Sequence, residues 1–136
     1  MFYRKRERVE LYRDIWLDIV VSDENKKLNK EFSYHKNWYA CAFTDTWRES
    51  KGDEWKRSVV VVLNPHHPRG FMDEYVILHE VVHIKNLIFK RLGIKPDVNN
   101  DEHEAYFVEY LYQKVKEFYV EVMEKEKSLI PKKEET

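Results

Sequence analysis

Ser58-Val59-Val60-Val61-Val62-Leu63 runs directly into Asn64-Pro65-His66-His67-Pro68-Arg69-Gly70, and at that junction the chain changes its period. The valine run has the β-branched, continuously apolar pattern of a strand. Two prolines and a glycine stop it. Downstream, Ile77, Val81, Ile84 and Ile88 share one face when successive residues are placed about 100° apart, which is the signature of an amphipathic helix. Asp73 suits the N-cap, Lys90 and Arg91 suit the negative end of the helix dipole, and Gly93 suits the stop. The helix is expected over residues 73–92.

Working outward, residues 15–21 and 38–47 are rich in β-branched and aromatic side chains and read as further strands. Residues 22–30 and 48–56 are polar, with the turn formers expected of hairpin connections. Residues 10–17 fit helix or strand equally. A second helix is expected from Asn100 or Asp101, with Phe107, Leu111, Val115, Phe118 and Val122 along one face, ending near Lys125. Residues 126–136 are charged, include Pro131 and have little to bury, so they are expected to be disordered. The expectation is one α+β domain over residues 1–125. It would hold a small, mostly antiparallel sheet of three or four strands, followed by two long helices.

The chain has 136 residues, enough to bury a core without covalent staples. Its 24 basic side chains nearly cancel 25 acidic ones, which removes any general attraction to nucleic acid or anionic lipid. Cys41 is the only cysteine, so neither an intrachain disulfide nor a thiolate zinc cluster can form. The apolar run after the charged first residues is broken by Asp18 and resembles no signal peptide. No stretch approaches the ~18–20 apolar residues of a membrane span. A cytoplasmic protein with no nucleic-acid or membrane partner is expected; oligomeric state is not legible.

The first helix carries His79-Glu80-Val81-Val82-His83. Histidines four residues apart differ by about 40° in direction and ~6 Å in height, so their ring nitrogens can converge on one ion. Neutral imidazole suits Zn2+. Glu80, about 100° around from His79, stands beside the metal, where a carboxylate can act as general base on a metal-activated water. The histidines lie opposite the Ile77–Ile88 stripe. The bland alternative, solvated surface histidines, predicts no such segregation.

A catalytic zinc usually takes three protein ligands. Asp101, Glu102, His103 and Glu104, at the start of the second helix, are the candidates. Glu102 lies opposite the apolar stripe of its helix. Glu104 falls within the stripe, where an unpaired carboxylate is costly. His103 is a further alternative.

The order His79-Glu80…His83…Glu102-His103-Glu104-Ala105-Tyr106 resembles the gluzincin branch of the zincin metallopeptidases, in which a HExxH helix is followed by a glutamate in an E-x-x-A arrangement. It also resembles short phage-type proteins that pair a HExxH helix with an E-x-x-A-Y helix. The likeness covers about residues 59–111 and is specific only over the two helical motifs. It implies a minimal zincin-like fold in which His79, His83 and Glu102 hold Zn2+ and Glu80 is the general base of peptide hydrolysis. It also implies a peptide or protein substrate held by an edge strand beside the helix; residues 59–63 would serve if they form that edge, and are only core if they form a central strand. The alternative is a non-catalytic zincin-like interaction domain with a structural zinc.

Tyr106, one turn after Glu102, is placed either to orient a ligand or simply to pack. His66 and His67, just before the helix, are candidate substrate contacts, though loop histidines are commonly just solvated. Trp38, Tyr39 and Trp47 are assigned to the sheet, and Cys41 to the core as a small residue.

Overall fold

A computed structural model describes residues 1–33, 38–66 and 74–130. The elements in chain order are β1 (Phe2–Arg8), β2 (Ile15–Ser22), α1 (Asn25–Phe32), β3 (Ala40–Trp47), β4 (Lys56–Leu63), α2 (Glu74–Leu92) and α3 (Glu102–Ser128). The fold is α+β. One four-stranded sheet has the order β1-β2-β4-β3, with α2 and α3 on one face and α1 on part of the other.

The sheet is mixed. β1–β2 and β3–β4 pair antiparallel, but β4 inserts beside β2 in parallel, with Leu17 opposite Val59 and Val21 opposite Leu63. The valine run is therefore central, the alternative in which it is core and not an edge that holds substrate. Its alternation feeds two cores at once. Val59, Val61 and Leu63 pack with Ile77, Val81, Ile84 and Ile88 of α2 and with Phe107, Leu111 and Val115 of α3. Val60 and Val62 pack on the other face with Leu28, Phe32 and Trp38. A run buried on both faces needs no polar alternation, which is why it reads as uninterrupted valine.

Several expectations change. Residues 2–8 form a strand that the charge of the segment concealed; an edge strand tolerates charged side chains because its outer border and part of its faces meet water. The stretch 22–30, expected as a hairpin connection, contains most of α1, whose Leu28 and Phe32 lie one turn apart and are both buried. Residues 10–14 are turn, and the strand begins at Ile15. β3 starts at Ala40; Trp38 precedes it, buried, with its indole N–H donating to Asn29 Oδ1 at 2.6 Å. α3 continues past the expected end at residue 125 to Ser128. Asp73, His67 and residues 131–136, with the cap, contact and disorder expected of them, lie outside the described residues. Among the described residues no helix is long and apolar enough to cross a membrane.

Candidate metal centre

α2 lays its isoleucine–valine face on the sheet, and the helical turn then dictates where its polar residues go. Ile77, Val81, Ile84 and Ile88 are fully buried, and His79 and His83 emerge on the exposed side. The two imidazoles stand at 77° to each other with ring centroids 4.8 Å apart, and their Nε2 atoms are separated by 3.2 Å. Two ligands of a tetrahedral zinc at bonds of about 2.0–2.1 Å would lie roughly 3.3 Å apart. The donor pair therefore fits the ion. The same spacing also permits one ring N–H to donate to the other nitrogen.

Glu80 is rotated from the histidines toward the sheet and is only 6% exposed. It lines a cleft of about 440 Å³ together with His79, His83, Asn86 and Lys90 of α2 and Ala40, Cys41 and Ala42 of β3. β3 is the border of the sheet here. Asn64 N–H donates to the Tyr39 carbonyl at 2.6 Å, and the pairing continues through Cys41 opposite Val62 and Phe43 opposite Val60. Hydrogen-bonded and non-hydrogen-bonded pairs alternate in an antiparallel ladder. Cys41 and Phe43 therefore turn their backbone groups inward to β4, and Ala40, Ala42 and Thr44 turn theirs outward. Thr46 follows the same rule: its N–H is taken by the Asp45 carboxylate at 2.8 Å instead of by β4.

The side chains of β3 alternate in the same way. Ala40 and Ala42 pack toward α2, whereas Cys41 and Phe43 pack toward α1. The Cys41 side chain thus lies on the sheet face opposite the imidazoles, half-buried against the smaller core and not within it as expected. Ala40 and Ala42 were not singled out in the sequence. The available signal was two methyl-sized residues alternating at the start of an otherwise bulky strand.

The acidic start of α3 lies elsewhere. Glu104 Oε1 accepts from Lys85 Nζ at 2.5 Å, which settles how a carboxylate can occupy the apolar stripe. His103 Nε2 is 2.6 Å from the Tyr12 hydroxyl, and its ring lies parallel to those of Phe89 and Phe107, the three centroids 5.9–6.4 Å from one another. Lys85 and Phe89, which meet these residues, stand about 80–120° around α2 from His79, on the side away from Glu80. Glu102 is exposed at the first position of α3, is not part of the cleft lining, and Tyr106 is exposed one turn later. Among the described residues no three His, Cys, Asp or Glu side chains come together as a metal set. His66 is exposed, with Nε2 3.3 Å from Asp23 Oδ2, and does not line the cleft.

Comparison with protein-family models, with curated proteins and with solved structures finds no match.

Proposed function

We propose that this protein is a zinc-dependent peptidase of zincin-like type, with His79 and His83 as metal ligands and Glu80 as general base. The observation that carries the reading is the 3.2 Å approach of the two Nε2 atoms above a nearly buried carboxylate in one cleft. Zinc, when bound, would supply Lewis acidity to a carbonyl and to water. Glu80 takes the proton of the attacking water and returns it to the leaving amine nitrogen. Burial keeps that carboxylate out of bulk solvent, which strengthens its effect on a nearby charge.

A polypeptide substrate is favoured by the border of β3. The outward N–H and C=O groups of Ala40 and Ala42 lie along the cleft, where an extended chain can add to the sheet by backbone pairing. The methyl side chains there leave that path open. Glu102 is the proposed third ligand on the strength of the E-x-x-A resemblance.

The test is metal content followed by turnover. Purified protein given excess zinc should retain about one ion per chain, His79→Ala and His83→Ala should lose it, and Glu80→Gln should keep it while peptide cleavage falls at least about a hundredfold. Stoichiometric zinc with no cleavage of any extended peptide library would instead support the non-catalytic interaction domain. A folded wild type that takes up no zinc removes both readings.

A further inference from the structure

The face of the sheet that α1 leaves uncovered carries a second constellation, at the end remote from Ala40 and Leu63. α1 reaches Val20, Val60 and Val62 but not the ends where β1 finishes and β2 and β4 begin. There, Arg6 lies over the Trp47 ring at 4.3 Å and Arg8 over Trp16 at 5.1 Å, and the two indoles meet edge to face at 5.2 Å. Lys56 sits between them, 4.6 Å from Trp47 and 5.5 Å from Trp16. The track crosses all four strands, roughly 14 Å at ordinary strand spacing.

It opens into a cleft of about 490 Å³ whose lining includes Arg8, Arg13, Trp16, Trp55, Lys56 and Arg57. Two acidic residues, Asp14 and Glu54, share that lining, so cations outnumber anions by two (four against two). Asp18, the fully buried acid of this face, is already taken by Arg4 and Arg6. Among the described residues no ion pair engages Arg8, Arg13, Lys56 or Arg57. Trp55 is 56% exposed at the mouth, with the Arg48 guanidinium 4.3 Å from its ring centroid on one side.

We propose that this end of the sheet binds single-stranded nucleic acid, with phosphates on Arg8, Arg13 and Lys56 and a base stacked at Trp55. Unpaired guanidinium groups call for an anion that accepts in a planar fork, which phosphate does. Exposed indole beside them calls for a flat partner, and a base is free to stack only when its strand is single. A duplex offers the phosphates without the ring. The near-neutral charge of the whole chain does not oppose this, because the excess is local: the cations of the lining outnumber Asp14 and Glu54 there. The site is independent of His79 and His83, so it stands or falls apart from the peptidase reading.

The experiment uses the full chain and a fluorescein-labelled oligothymidylate of about 15 nucleotides, within the span such grooves cover. Anisotropy should report binding that weakens with salt, with a log–log slope of about −2 for three phosphates. Tryptophan emission should be quenched in parallel. Arg8→Glu with Lys56→Glu should weaken binding at least tenfold, and Trp55→Ala about fivefold or more, with Trp55→Phe restoring most of it. Binding should be unchanged by a zinc chelator and in His79→Ala. No anisotropy change at low salt overturns the proposal. So does equal binding of heparin, duplex DNA or an acidic peptide with no effect of Trp55→Ala, which would mark a patch that reads charge alone.

Discussion

Lys85 Nζ lies 2.5 Å from Glu104 Oε1, and this ion pair ties the first turns of α3 to the flank of α2 turned away from Glu80. The Lys85 side chain is 9% exposed and that of Glu104 24%, so the pair is desolvated enough to matter and still reaches water at one end. Together with the parallel rings of His103, Phe89 and Phe107, it joins the start of α3 to α2.

Removing one partner should therefore cost more than removing both. Lys85→Met leaves a half-desolvated carboxylate against Phe89 and should lower stability by about 2–3 kcal/mol, somewhat below the full cost of breaking a buried pair. Adding Glu104→Leu should recover most of that loss. Urea unfolding of the single and double variants measures it, and equal midpoints for wild type and Lys85→Met would show that solvent screens the pair.

The third metal ligand separates by affinity. Glu102→Ala should weaken zinc binding about tenfold or more if its carboxylate completes the site, while Glu104→Ala should change stability and leave zinc affinity nearly intact. Competition with a chromophoric chelator reads both. If Glu102→Ala binds zinc as the wild type does, Glu102 is not a ligand and the two histidines act with donors from outside α3.

The border of β3 can be blocked without breaking the sheet. Ala42 points its N–H outward, so Ala42→Pro removes a donor that the ladder does not use and should raise KM for an extended peptide severalfold with a stability change under about 1 kcal/mol. Phe43→Pro removes an inward donor opposite Val60 and should cost about 3 kcal/mol or more. Peptide kinetics and thermal melts on the two variants make the comparison. Similar KM in Ala42→Pro would place the substrate elsewhere.

Alkaline unfolding should report Tyr119. Burial raises the pKa of its phenol in the folded chain. The folded state then holds a proton that the unfolded chain releases, so the contribution is fully present below about pH 10 and is lost as pH climbs through the folded value. Tyr119→Phe should flatten the decline of urea midpoints between about pH 9 and 11. An unchanged slope would assign that decline to other groups.

Much of the site was legible because it is written along one helix. The spacing of His79 and His83 and the stripe Ile77–Ile88 are both properties of a 3.6-residue period, and together they state which side chains meet and which face water. The residues opposite that helix were not legible. Ala40 and Ala42 reach Glu80 only because β3 is the border strand, and Glu104 finds its partner on a different helix. The N-terminal strand was missed for a related reason: Arg4, Arg6 and Arg8 read only as a charged terminus until Asp18, Trp16 and Trp47 are set across from them.

From its sequence alone, this protein has a strand–break–helix core, a second amphipathic helix and a pair of imidazoles one turn apart, since each depends on contacts a few residues long. Tertiary structure alone decided that the valine strand is central and parallel to β2, that β3 forms the border beside the histidines, and that Arg8, Arg13, Lys56 and Arg57 share one cleft. Strand order and the pairing of distant charges are set by competition among non-local contacts, in which each strand could satisfy its own pattern in several places and only the joint burial of both sheet faces selects one.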